Sequence, residues 1–276
     1  MKQSKQINIE LLRIICALMV IAFHMIAQSD VLDNCSISNY VFSVFFHAGG
    51  RLACSVFVII GAYFLVDIPF HTYRIAHLFI KTIITVAIID FALLMFSENL
   101  AETVSITELI IQIFPIIGKP YWFIDAYIYM LILSPILNFI LQKPEMQNYR
   151  YFLIVLSVAF ILVGSWPATF ELFPFSNDAI WFCFLYLLTG ELKHHEIFNS
   201  IKKSTWAALF LICYLFSCGV SLVCNHLKSV WEYAWILRFF YISTYQSVFA
   251  FVAAVSLFGF FLHINISNNK LCAVIG

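Results

Sequence analysis

Eight stretches of mostly apolar residues follow one another along this chain, at 7–27, 41–66, 75–97, 121–141, 151–166, 179–192, 204–225 and 241–263. A helix needs roughly 20 apolar residues, within about 17–25, to cross the hydrocarbon of a bilayer, and only helices and closed barrels satisfy their backbone there. The series predicts an all-α fold, a polytopic transmembrane helical bundle of about eight spans. The fifth and sixth stretches are short and need flanking residues such as Trp166 and Phe175 to complete them. A further segment, 106–117, follows Ser105 as a cap and is too short to span, so it is expected to lie along the membrane surface.

Composition agrees. Hydrophobic residues make up 63% of the chain and charged ones 11%, where a soluble domain has about 25% charged. That much apolar surface exceeds what one small core can hold, and most of it must face lipid. The chain has 30 Phe, 13 Tyr and 6 Trp, which suit helix packing and the membrane interface. Net charge is zero and there is no basic run, so no nucleic-acid partner is expected. The eight cysteines form no CxxC pair and no His-spaced cluster, and most sit in apolar runs as small hydrophobes. His194-His195 is placed in a cytoplasmic loop without further ligands, and no metal site is expected.

The turns are short and polar, with no linker, repeat or low-complexity stretch, so residues 1–276 read as one membrane-embedded domain. The first apolar run holds Glu10 and Arg13 and no small-residue cleavage site follows it, so it is expected to stay in the protein. With the N-terminus in the cytoplasm, nine basic residues fall inside (Lys2, Lys5, Arg74, Lys143, Arg150, Lys193, Lys202, Lys203, Lys270) and three outside (Lys119, Lys228, Arg238). The positive-inside rule favours that orientation.

Charge at the centre of a span costs about 2.5–3.5 kcal/mol on insertion scales, which makes each titratable residue within a span a functional candidate. Here these are Glu10, Arg13, His24, His47, Arg51, His77, Lys81, Asp90, Asp125 and His263. The first span is the most informative. Arg13 and His24 are eleven residues apart, which returns to within about 20° of one helix face with a rise of about 16 Å. Glu10, three residues before Arg13, is placed for an intrahelical ion pair. The pair and the imidazole are expected to point inward to a polar passage. The same spacing also allows Glu10 and Arg13 to snorkel to the cytoplasmic interface and His24 to close the outer end of the helix.

The stretch E-L-L-R at 10–13, followed by ten residues and then His24, resembles the opening signature of the acyltransferase 3 family of membrane acyltransferases. The second span, GGRLACSVFVIIGAYFLV, is similar to that family's small-residue segment ending near Ser-Gly-Tyr. The fourth, GKPYWFIDAYIYMLILSPILN, is similar to its Trp-led helix ending in Ser-Pro, and YLLTGELK at 186–193 also fits. Where many relatives have Ser-Gly-Tyr, this chain has Gly61-Ala62-Tyr63, so that serine is absent. Family members usually have about ten spans, and this chain is expected to lack the last two through a C-terminal truncation.

The resemblance implies transfer of an acyl group, commonly acetyl, from acyl-CoA to a hydroxyl of a polysaccharide or glycan precursor, in a bacterial cytoplasmic membrane. No bound cofactor is implied, acyl-CoA being a substrate. His24 would act as general base or as a transient acyl carrier, because its ordinary pKa lies near neutral pH. Arg13 would orient the thioester or bind donor phosphate, with Glu10 holding its guanidinium. Arg74 matches a basic position of the family that meets the donor, and Lys81, about two turns further on, would extend that site. Positive-inside anchoring explains Arg74 and Lys81 equally. On the outer side Arg51, Trp122 and Asp125 are the acceptor-binding candidates. The glycines Gly49-Gly50 beside Arg51 would allow close approach of a substrate or another backbone. Interfacial placement of Arg51 and Trp122 is the competing account. Two other functions fit the same charges: a transporter of a glycan or acyl group that forms no bond, or an inactive remnant.

Overall fold

The computed structural model of the protein describes residues 6–29, 36–96, 111, 113–114, 121–164, 177–226 and 248–265. Among these the ordered elements are all helical: α1 (Ile7–Ala27), α2 (Ile37–Leu65), α3 (Thr72–Phe96), α4 (Trp122–Gln142), α5 (Gln147–Gly164), α6 (Asn177–His194), α7 (Ile197–Ser200), α8 (Lys203–His226) and α9 (Val248–Leu262), with a single 3-10 turn at Pro144–Met146. A helix stands at each of the eight expected spans. Five contain windows long and apolar enough to cross a membrane: Ile7–Ala27, Ser38–Leu65, Thr72–Ala92, Trp122–Gln142 and Lys203–Val223. Val248–Leu262 is apolar but shorter. The chain is thus a multi-pass membrane protein. Of the expected surface helix at 106–117, only Ile111, Ile113 and Phe114 are among the described residues.

The bundle is organised around α2. One of its faces, carrying Leu52, Ala53, Val56, Ile59 and Ile60, packs with α1, α8 and α9 in one core. The opposite face, carrying Val58, Ala62 and Val66, packs with α4 and α6 in a second. Lipid tails are as apolar as these side chains, so close packing rather than water exclusion must hold the helices together. Small residues where helices meet make that closeness available, as Ala250, Ala253, Ala254 and Gly259 do on α9. The outlier is α3. Val86 is its one buried apolar residue among those described, and its long apolar flank is exposed.

Gly50 shows how tight the central contact is. A Cβ there would fall on the first two carbons of the Phe23 side chain, well inside contact distance. The close approach anticipated at Gly49-Gly50 is therefore filled by α1 of the same chain. Gly50→Val is expected to destabilise the bundle by about 1–3 kcal/mol through overpacking, measured as thermal unfolding in detergent. An unchanged melting temperature would contradict that packing.

Pro135 lies inside α4 and lacks the N–H that would bond the carbonyl four residues earlier, at Leu131. The neighbouring Ser134 hydroxyl donates to that carbonyl at 2.8 Å, so the freed oxygen is satisfied within the helix. The Ser-Pro pair is accordingly a local repair of the backbone. The ends of α2, α4, α5 and α6 meet at one end of the bundle. There Asn138 donates to the carbonyl of Leu65, Gln142 to Val66, and Lys193 to Tyr63 at 2.6 Å. Three of the basic residues expected in the cytoplasm (Lys143, Arg150 and Lys193) lie in or beside these helix termini.

Candidate functional site

Glu10 and Arg13 form the intrahelical pair that their spacing implies, with Arg13 Nη1 donating to Glu10 Oε1 at 2.6 Å. Both side chains keep over a third of their surface open, at 42% and 36% for Arg13 and Glu10. Arg13 opens onto a cavity of about 250 Å³ bounded by four helices. Arg13 contributes from α1, Phe57, Ile60 and Gly61 from α2, Leu78 from α3, and Phe123, Ile124 and Tyr127 from α4. The wall is apolar except for the guanidinium and the Tyr127 hydroxyl. A cation in such a place holds an anion or a carbonyl oxygen more firmly than it would in water.

The stripe expected to join Arg13 to His24 is only half realised. Arg13 lines the cavity; His24 is exposed and lines neither this cavity nor the cleft described below. Its ring lies edge-on to Phe23 at 5.2 Å, and Phe23 in turn contacts the His47 ring at 4.7 Å. At Arg13, side chains of three other helices share the cavity wall, whereas the ring contact of His24 is with Phe23 of its own helix.

Of the acceptor-side candidates, Arg51 and Trp122 are brought together, with the guanidinium carbon 5.9 Å from the indole centroid. That is a cation–π distance. Trp122 also packs edge-on to Phe123, which lines the cavity, while neither Arg51 nor Trp122 lines it. Asp125 is buried with 8% exposure and does not line the cavity.

Of the donor-binding candidates, Arg74 lines a cleft with His71, Ser134 and Asn138, about one helical turn along α3 and α4 from the larger cavity and with a volume of about 10 Å³. That admits about one water and nothing larger. Asn138 is fixed there by the Tyr186 hydroxyl, which donates to its Oδ1 at 2.7 Å. Lys81 is exposed on α3 and lines neither space, so Arg74 and Lys81 are not joined in one pocket among the described residues.

The other titratable candidates sit apart. His77 is exposed, Asp90 is partly buried, and His263 bonds the carbonyl of Gly259 at 2.9 Å. His194 is the last residue of α6 and His195 follows it, so the pair belongs to a helix end and not to a free loop. His194 meets Asp67 at 2.9 Å and His195 meets Glu191 at 3.3 Å. Among the described residues no group of three or more His, Cys, Asp or Glu is placed to hold a metal ion.

Two sets of contacts escape inspection of the chain alone. Tyr127 meets Gly61 on the cavity wall, and Asp67, Arg150 and Glu191 tie the helix ends together. The ionic set could be suspected from charges inside apolar flanks, but nothing in the sequence pairs them. Asp67, just past α2, shows the electrostatics of this end. Burial alone would push its carboxyl up, but hydrogen bonds from Lys193 and His194 outweigh it and hold the group below the usual carboxylate range.

No curated protein and no solved structure matches the chain. A family model described as an acyltransferase domain, that of the acyltransferase 3 family, matches residues 6–276, nearly the whole chain, and the protein belongs to that family.

Proposed function

We propose that this membrane acyltransferase moves an acyl group, acetyl in the simplest case, from acyl-CoA to a hydroxyl of a polysaccharide or glycan precursor of the bacterial envelope. The observation that carries the reading is Arg13, paired with Glu10, lining a cavity among the membrane helices. An apolar space with one cation on its wall suits a thioester donor, whose carbonyl oxygen and phosphates need a cation while the rest of its arm tolerates apolar walls.

The reaction is the attack of a hydroxyl oxygen on the thioester carbonyl carbon. The C–O bond forms, the C–S bond breaks, the hydroxyl proton passes to a base, and coenzyme A leaves as the thiol after taking up a proton. His24 is the proposed base or transient acyl carrier. Arg13 and His24 are about 16 Å apart along α1. In this reading Arg13 holds the donor within the membrane, and transfer takes place toward the outer end, near His24, Arg51 and Trp122. The N-terminus would then be cytoplasmic, with Arg74 and Lys81 on the side from which the donor arrives.

Membranes with and without the full chain, given labelled acetyl-CoA, test the reading. Label is expected in an alkali-labile ester of the envelope glycan, and only with the wild-type chain. His24→Ala should abolish incorporation with the inserted protein level unchanged. Normal incorporation by His24→Ala would remove this residue from the chemistry, and no incorporation by the wild type would leave a transporter.

A further inference from the structure

Gly61 leaves an opening on the face of α2 that borders the cavity, and the structure shows what takes up the room. A Cβ built on Gly61 would collide with the Tyr127 hydroxyl oxygen. The hydroxyl from α4 thus occupies, on the cavity wall, the space that a side chain at position 61 would need. Tyr127 is held there by a stacked contact with Phe123, with ring centroids 6.0 Å apart and planes at 19°. Its hydroxyl makes no hydrogen bond with any described residue, and Tyr127 lines the same cavity as Arg13. A phenol hydroxyl inside a membrane protein normally finds a partner, since leaving it without one costs free energy. A donor aimed into a cavity beside a guanidinium is suited to an oxygen carried in by a ligand.

We infer that the Tyr127 hydroxyl is a donor-binding group that donates a hydrogen bond to a carbonyl oxygen of the acyl-CoA from the space left open by Gly61. The inference rests on the function proposed above. Two oxygens of the donor share this chemistry: an amide carbonyl of the pantetheine arm, the expected partner with transfer placed near His24, and the thioester carbonyl, whose contact here would move the reaction to the cavity. They differ in what the loss of the bond does. An amide contact acts alike in ground state and transition state and affects KM; a thioester contact strengthens as negative charge develops and affects kcat.

The test uses the full chain in membranes with labelled acetyl-CoA. Tyr127→Phe keeps the ring and its stacking on Phe123, so folding is retained and an unchanged melting temperature is the control. The variant is expected to raise KM about tenfold if the amide is the partner, or to lower kcat about tenfold if the thioester is, the size of one lost hydrogen bond. Gly61→Ser alone is expected to lose a similar factor, because its Cβ displaces the tyrosine hydroxyl.

The double variant Gly61→Ser/Tyr127→Phe should recover to within about threefold of wild type. Without the hydroxyl, the nearest ring carbon lies 3.2 Å from the new Cβ, which a shift of a few tenths of an ångström relieves. A purely steric role for Tyr127 predicts rescue of Gly61→Ser but no loss in Tyr127→Phe alone. Kinetic constants of Tyr127→Phe within about twofold of wild type would overturn the inference, as would a double variant no better than the poorer single one. An inactive wild type would instead bring down the function on which the inference rests.

Discussion

Arg13→Ala is expected to reduce acyl transfer by about a hundredfold, the cost of losing the charge-assisted hydrogen bonds by which Arg13 holds the donor. Loss of fold is not the route. The Glu10–Arg13 pair is more than a third exposed on each side, and pairs so open contribute little to stability. Removing a cation from a span also lowers the cost of insertion, so the protein level should stay level or rise. Arg13→Lys keeps the charge but loses the planar fork that meets Glu10 and a ligand together, and an intermediate loss of about tenfold is expected. Glu10→Gln leaves the guanidinium in place without its anionic tether. Its effect should fall on KM, measured with labelled acetyl-CoA in membranes. Wild-type turnover by Arg13→Ala would detach the cavity from the reaction.

The stripe Ile9, Leu12, Cys16 explains why the first span was so readily legible. Its buried face repeats at three and four residues, and the i, i+3 pair of Glu10 and Arg13 depends on nothing outside the helix. Helix ends were less legible, because hydropathy marks the apolar run and not where the backbone stops. Helix α2 starts at Ile37 instead of residue 41, since Ser36 caps it by accepting from the Asn39 N–H. Helix α5 takes in Gln147, Asn148, Tyr149 and Arg150 ahead of its apolar stretch. The angular match of Arg13 and His24 was sound as helix geometry, yet whether a face meets a cavity depends on where neighbouring helices begin. No pattern within α1 reveals that. Tyr127 was invisible for a similar reason. Alone it is one aromatic among many, and its meaning comes from the missing Cβ of Gly61 on another helix.

Breaking the Arg150–Glu191 pair is expected to be the most destabilising of the charge substitutions. Arg150 Nε lies 3.0 Å from Glu191 Oε1, with only 18% and 11% of the two side chains exposed. Those two atoms are close but off hydrogen-bond geometry, so attraction of charge rather than a directed bond holds them. Arg150 Nη1 donates to the Leu141 carbonyl at 3.0 Å, which ties α5 to the end of α4. Arg150→Met leaves a carboxylate with little water and only the more exposed His195 beside it. Removing one partner of a buried pair costs about 3–5 kcal/mol. Replacing both, as in Arg150→Met/Glu191→Leu, should return most of that stability, because desolvation cancels much of the attraction in the intact pair. The double-mutant cycle, read by unfolding in detergent, isolates the coupling.

Asp67 supplies the contrast. Its side chain is 46% exposed against Lys193, and Asp67→Asn should cost no more than about 1 kcal/mol. Because its folded pKa is lowered, that small contribution is complete above the ordinary carboxylate pKa and fades as pH falls through the lower folded value. The Arg150 effect should thus exceed the Asp67 effect severalfold at neutral pH. Equal losses from the two would mean that water reaches Glu191 as freely as it reaches Asp67, and that helix packing alone fixes this end of the bundle.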